Sequence, residues 1–230
     1  MRHNQFVSVV IPALNEENAI GQVIEDLPDW VDQVVVADNG SEDNTADTAR
    51  QLGAEVVFEA VPGYGAACLK GLSVVKRADI IVFLDGDHSD FPEDAHKLVD
   101  PIAEGTHDFV LGSRALGAVQ KGALTPAQIF GNWLACFLMR RRWQTPYTDL
   151  GPFRAIRAEL FNRLEMVDQT YGWTIEMQIK AFVQGARILE VPIRYRQRVG
   201  VSKISGTVKG TVLAGYKILA TIWHYRHLRG

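Results

Sequence analysis

Asp85, Asp87 and Asp90 lie within six consecutive residues, separated only by Gly86, His88 and Ser89. Carboxylates this close repel, and a bound cation relieves the repulsion. Oxygen ligands suit a hard ion such as Mg2+ or Mn2+, above all when a phosphate completes its shell. The run before them, Ile80 to Leu84, is unbroken apolar sequence. It fits a fully buried parallel strand, although periodicity alone leaves a buried helical segment open. The same stretch also fits a strand-to-helix turn in which Asp90 is the N-cap and Pro92 and Glu93 enter the first turn. The two readings combine, with Asp90 as cap and Asp85 and Asp87 as metal ligands.

Elements on either side must position these groups. Phe6 to Ile11 reads as a strand stopped by Pro12, and Asn15-Glu16-Glu17 opens a helix with Ile20, Val23, Ile24 and Leu27 on one face. Val34 to Val36 and Glu55 to Phe58 are further strands, with a helix between them that Gly53 closes. Ala66 to Val75 is helical, and the Ile80 strand follows. Strands alternating with helices over short loops imply a parallel sheet wrapped on both faces. Ligands of such sheets bind beyond the carboxyl ends of the strands. Pro12 to Glu17, Asp38 to Ser41 and Asp85 to Asp87 occupy three such ends, an acidic rim suited to a metal–nucleotide. Neither G-x-G-x-x-G after the first strand nor G-x-x-x-x-G-K-[ST] occurs, which removes dinucleotide and P-loop readings.

The second half is less regular. Asp108 to Leu111 is a strand with Gly112-Ser113-Arg114 as its loop, and Arg114 is either a surface charge or a bidentate phosphate contact. Leu124 to Trp143 is an amphipathic helix with an apolar stripe (Ile129, Phe130, Trp133, Leu134, Phe137, Leu138) ending in Arg140-Arg141-Arg142. That pattern fits a segment lying on an anionic bilayer or a core helix whose cationic end suits its dipole. Glu176 opens a helix through Val183, as a cap-region acid or an acceptor-site carboxylate. Ile188 to Ile193 is the last strand. Arg194, Arg196 and Arg198 share one face if extended, and Gly200 to Gly206 reads as a basic, flexible loop. Val208 to His227 is a helix that docks on a membrane, on a partner subunit or on the domain itself.

The chain has 230 residues and 47% apolar content, enough for one large α/β domain over 1–206 with a basic amphipathic helix over 207–230. Cys68 and Cys136 have no metal-ligand spacing and read as reduced thiols. The N-terminus runs straight into a strand pattern without a signal peptide, and no apolar run is long enough to span a membrane. The expected location is therefore cytoplasmic, peripheral to the inner face of the membrane. The net charge of −3 conceals an asymmetry. Val191 to Gly230 carries eight Lys/Arg and no Asp or Glu, against 16 basic and 27 acidic groups elsewhere. Such a tail calls for an anionic partner, either phosphates or a lipid surface. Nucleic acid fits least, because aromatic-plus-basic repeats are missing. A homo-oligomer stays open.

Seven motifs fall in the order and spacing of family 2 glycosyltransferases. They are Val10-Ile-Pro-Ala-Leu-Asn-Glu-Glu17, Asp38-Asn-Gly-Ser-Glu-Asp-Asn-Thr45, Gly63-Tyr-Gly65, Asp85-Gly-Asp87, Gly112-Ser-Arg114, Asp149-Leu-Gly-Pro-Phe-Arg154 and Arg198-Val-Gly-Val-Ser-Lys203. Within that family the chain resembles the polyprenyl- and dolichol-phosphate mannose or glucose synthases, from about Val7 to Lys203. The resemblance implies a GT-A fold, a Rossmann-like mostly parallel sheet with helices on both faces, and a UDP- or GDP-hexose donor. It implies that Pro12, Ala13, Glu16 and Asp38 line the base and ribose pocket, with Gly65 and Gly86 beside the donor. Asp85 and Asp87 would bring Mg2+ or Mn2+ to the diphosphate. Arg114, Arg198 and Lys203 would contact donor or acceptor phosphates. The implied reaction inverts the anomeric centre while moving the hexose to a polyprenyl phosphate.

A phosphate acceptor is anionic near neutral pH and attacks without a general base. A hydroxyl acceptor would need one in reach, and Asp149 and Glu176 are the candidates. Sugar transfer to a soluble or other lipid hydroxyl is thus the alternative. A nucleotidyltransferase is disfavoured because the first strand-end loop, PALNEE, is acidic and lacks Arg. A non-catalytic nucleotide-sugar-binding protein would not need the arginines near Lys203.

Overall fold

The computed structural model describes residues 1–200 and 208–228, with helix α8 followed from Val208. The first half alternates as the apolar pattern requires: β1 (Val7–Ala13), α1 (Ile20–Glu25), β2 (Gln33–Asp38), α2 (Thr45–Gln51), β3 (Glu55–Phe58), α3 (Tyr64–Leu72) and β4 (Ile80–Phe83). A short 3-10 turn, Pro92–Asp94, leads into α4 (Ala95–Ala103). The second half adds β5 (Phe109–Val119), α5 (Pro126–Trp143), β6 (Arg154–Arg157), α6 (Ala158–Leu164), α7 (Trp173–Val183), β7 (Ile188–Tyr195) and α8 (Val208–Tyr225). The strands form one sheet in the order β3-β2-β1-β4-β6-β5-β7. β1 pairs parallel with β2 and β4, and β2 with β3, whereas β6 enters antiparallel between β4 and β5. Two buried clusters, one on each face, hold the sheet, and β4 contributes to both (Ile81 and Phe83, Ile80 and Val82). A strand buried on both faces has no polar alternation to show, which is why β4 reads as a continuous apolar run.

Several boundaries differ from the sequence pattern, each for a local reason. α1 starts at Ile20 rather than at Asn15, because Asn15 takes a left-handed conformation (φ 52°). The amides of Asn15, Glu16 and Glu17 are bonded instead to side chains of Ser41, Thr45 and Asp43. The first two strand-end loops are thereby tied together. Asp90 is not a helix cap. The turn begins after Phe91, no side chain caps it, and the Asp90 carboxylate is buried with neither oxygen hydrogen-bonded. Gly112-Ser113-Arg114 lies inside β5 and not in a loop after it. β5 pairs with β7 in register to Ser113–Pro192, then slips so that Ala118 faces Arg194. Pro192 brings no N–H to the ladder, and the bulge that follows turns Arg114 out of the sheet toward the rim.

α8 packs its Ile218 and Ile222 on the core. Lys217 pairs with Asp168 at 2.8 Å, and the Tyr225 hydroxyl donates to Glu176 at 2.7 Å. No helix among the described residues is long and apolar enough to cross a membrane.

Candidate active site

The carboxyl ends of β1, β2 and β4 meet at one rim, where the Asp85–Asp87 loop packs on β1 at Gly86. A Cβ there would lie 3.4 Å from both the Ala13 Cβ and the Pro12 carbonyl oxygen. Asp85 is almost sealed from solvent around its Oδ1, which has no protein partner. Burial, reinforced by the charge of Asp87, raises its pKa to about 7. Asp87 accepts the Ser89 amide at 2.9 Å through Oδ1, and its Oδ2 lies 2.5 Å from the Arg198 guanidinium. The Val199 amide donates to the Asp87 carbonyl, so the segment after β7 closes over the carboxylate loop. Arg198 also reaches Glu16 at 3.4 Å.

A cation fits here on the evidence of that orphaned, buried Asp85 oxygen beside a second carboxylate. Among the described residues no cluster of three His, Cys, Asp or Glu side chains encloses a metal. Two carboxylates with the rest of the shell left to phosphate and water is the habit of Mg2+-type sites, not of closed protein cages.

Two cavities open from this point and share Asp85, Asp87 and Arg198 as a common wall. The smaller, about 310 Å3, is lined by Pro12, Ala13, Glu16, Asn39, Tyr64 and Tyr171 among others. The larger, about 850 Å3, runs between α5 and α8, from Asp85, Asp87 and Arg114 past Ile129, Phe130 and Leu134 to Ile218 and Leu219. Its far end is apolar.

The remaining sequence-derived residues fall into different positions. Asp38 is buried beside the smaller cavity and accepts the Ser41 amide at 3.0 Å, while its neighbour Asn39 lines the space. Gly65 does not face the cavity. A Cβ on it would stand 2.0 Å from the Asp168 carbonyl, so it is a packing glycine that lets α3 lie on the 168–169 backbone. Arg114 and Asp149 form a buried bidentate pair, with the Nε at 2.9 Å and an Nη at 2.7 Å from the two carboxylate oxygens. Burial alone would raise Asp149. The Arg114 charge and its hydrogen bonds outweigh that and hold the carboxyl below its ordinary value.

Glu176 is the clearest departure. It is fully buried on α7, lines neither cavity and accepts the amides of Val167 and Asp168. With Lys180 at 2.7 Å and the Tyr225 hydroxyl it anchors a loop and α8, which corrects its reading as an acceptor-site carboxylate. Lys203 lies outside the described residues.

Sequence reasoning overlooked Tyr64, Tyr171 and Tyr195, which line the cavities. Tyr64, which lines the smaller cavity together with Asp85, was marked in the sequence only by its two flanking glycines. Tyr195 lies under the Arg114 guanidinium, 5.2 Å from its carbon to the ring centre. Asp90 was seen but misassigned. Burial, and the charge of Asp85 after it, raises its pKa well above the ordinary carboxylate range.

Residues 8–164 match the family model described as glycosyl transferase family 2. An uncharacterized glycosyltransferase of Mycobacterium tuberculosis is 35% identical over 211 residues, covering 90% of this chain and 94% of that protein. A dolichyl-phosphate hexose transferase of Haloferax volcanii is 34% identical over 215 residues, covering 90% of each. Among solved structures, glucosyl-3-phosphoglycerate synthase from Mycobacterium tuberculosis, in complex with Mn2+, UDP-glucose and phosphoglyceric acid, superposes with a TM-score of 0.78. It is 25% identical, and the match covers 98% of this chain and 81% of that one. With its sheet order, its Asp85-Gly86-Asp87 rim and these likenesses, the chain belongs to the family 2 glycosyltransferases.

Proposed function

We propose that this glycosyltransferase moves a hexose from a nucleoside diphosphate donor to a polyprenyl phosphate held at a membrane surface. The observation that carries the reading is the pair of cavities sharing Asp85, Asp87 and Arg198, one compact and one long and apolar. A donor nucleotide takes the compact space beside Pro12, Ala13 and Glu16. The acceptor phosphate takes the shared wall, and its hydrocarbon tail runs along the groove between α5 and α8. Burying prenyl units there is favourable by roughly 25 cal/mol per Å2 of apolar surface removed from water.

Asp85 and Asp87 would hold Mg2+ or Mn2+, which when bound neutralises charge on the departing diphosphate. The acceptor oxygen forms its bond to the anomeric carbon as the bond to the diphosphate breaks, and the nucleoside diphosphate leaves. A phosphate monoester, with a second pKa of about 6, is already anionic at neutral pH, so no proton need be removed. The carboxylates agree with this. Besides Asp85 and Asp87, the groove among the described residues is lined by one carboxylate, Asp149, and both of its oxygens are bonded to Arg114. A tied carboxylate with a lowered pKa is a poor general base. Arg198, which lines both cavities, would contact a phosphate at the shared wall and stabilise charge developing on it.

A soluble phosphorylated acceptor is the second reading, favoured by the likeness to glucosyl-3-phosphoglycerate synthase. Radiolabelled UDP- and GDP-hexoses, offered with undecaprenyl phosphate or 3-phosphoglycerate and with Mn2+ or EDTA, separate the two. Metal-dependent label in an organic-extractable product is expected. Label in 3-phosphoglycerate alone would overturn the lipid acceptor.

A further inference from the structure

Most of the apolar stripe read along α5 is not its core face, which other residues form. Ala135, Cys136, Met139 and Trp143 are buried, whereas Ile129, Phe130, Trp133 and Phe137 face solvent at 56, 60, 58 and 46% exposure. The three aromatic rings form a ladder, Phe130 to Trp133 at 5.9 Å and Trp133 stacked on Phe137 at 5.6 Å. α8 repeats the arrangement. Ile218 and Ile222 turn inward, while Tyr216, Leu219 and Trp223 form an exposed stripe at helical spacing. The mouth of the apolar groove opens between the two, bordered by Ile129, Phe130 and Leu219. An apolar face of this kind has a purpose in a soluble monomer only if something covers it.

Charge identifies the cover. No Asp or Glu occurs from Phe109 to Thr148, nor anywhere from Val191 onward, so neither helix carries one. Exposed cations flank the stripes: Lys121 before α5, Arg140, Arg141 and Arg142 at its end, and Arg226 just after α8. A second copy joined through the same face would bring no acidic side chain on either helix to meet these cations. An anionic bilayer accepts both the rings and the cations.

We propose that the outer faces of α5 and α8 form a docking surface for an anionic phospholipid bilayer, with the groove mouth facing the lipid. This rests on the lipid-acceptor reading for its purpose and on the exposed face for its geometry. Trp133 and Phe137 do not line the groove, so they test docking apart from acceptor binding.

The full chain is sedimented with vesicles of phosphatidylcholine alone or mixed with phosphatidylglycerol, across a salt series. Binding to the anionic vesicles, weakened by salt, is expected. The Trp133→Ser, Phe137→Ser variant should bind about tenfold or more weakly and Arg141→Gln should flatten the salt dependence. Both should keep wild-type transfer to a short-chain prenyl phosphate in solution and a wild-type melting temperature. Equal binding to neutral vesicles, or no loss in the variants, overturns the proposal. So does gel filtration that shows a dimer which the Trp133→Ser, Phe137→Ser variant dissociates. Vesicle binding without transfer to any prenyl phosphate would instead refute the lipid acceptor and leave the docking surface intact.

Discussion

Asp87 joins three parts of the site through different atoms: Ser89 to Oδ1, Arg198 to Oδ2 and Val199 to its carbonyl. Asp87→Asn keeps the shape and the carbonyl bond but removes the charge. It should lower turnover by about a hundredfold or more, the scale of losing one electrostatic stabiliser, with an unchanged circular dichroism spectrum. Activity near wild type would remove Asp87 from the metal site. Asp85 adds a pH dependence. Its folded pKa, near 7, lies above the ordinary carboxylate value, so a cation must displace a proton below that pH. Mn2+ affinity, read by paramagnetic broadening or calorimetry, should therefore rise with pH up to about 7 and then level off. A flat profile between pH 5 and 7, roughly the window that linkage assigns, would show Asp85 already ionised. Arg114 and Asp149 make a separate claim. Asp149→Asn leaves a buried guanidinium without its counter-charge and should cost about 3–5 kcal/mol of stability by chemical denaturation. A loss well below that, with activity abolished, would return Asp149 to a direct role in the chemistry.

At the level of elements, α8 holds more than its own place. Lys217 pairs with Asp168, whose other oxygen accepts the amide and hydroxyl of Thr170. Gly63, Gly65 and Gly172 allow close contact around the same segment, and the Ala66 amide donates to Gln169. Thr170 and Tyr171 then line the smaller cavity. The helix is thus latched to a wall of the smaller cavity through this ion pair and through the Tyr225–Glu176 bond. Lys217→Met should raise the donor KM several-fold while kcat falls less, because the wall loosens but the carboxylate rim is untouched. An unchanged donor KM would mean that α3 and the Glu176–Tyr225 tie fix the loop without the ion pair. The exposed half of α5 is the second element-scale finding. Its sequence admitted either a core helix or a surface-lying one, and the structure uses both faces, with Ala135, Cys136, Met139 and Trp143 inward and Phe130, Trp133 and Phe137 outward.

Across the whole molecule, acid should unfold the protein through paired carboxylates. Asp100 is held down by its hydrogen bonds to Arg2, and Asp108 by Arg187. A lowered folded pKa stabilises above the unfolded value of about 3.9 and is lost as pH falls below it. Asp108 ties the starts of β5 and β7, so Asp108→Asn should lower the melting temperature at pH 7 and shrink the further drop between pH 4 and 3, roughly the range where the unfolded carboxylate titrates. An equal drop in both proteins would shift the acid sensitivity elsewhere.

The first half of the sheet was legible in the chain because each of its strands is a short apolar run followed by polar residues at the carboxyl end. The Asp85–Asp87 rim was legible for the same reason, being encoded within a few consecutive residues. What the chain could not announce was set by partners distant in sequence. β6 inserts antiparallel between β4 and β5, a pairing that no local pattern specifies. Arg114 is turned by a bulge that answers Pro192 on another strand, and its partner Asp149 stands 35 residues away. Glu176 and Gly65 looked like site residues by position, yet one satisfies a buried loop and the other makes room for it. The sequence by itself determined the strands other than β6, the acidic rim and the amphipathic helices, since periodicity and short-range spacing carry them. Only the tertiary structure decided which charged groups are consumed by one another and which are left facing a cavity, because burial and pairing are properties of the packed chain.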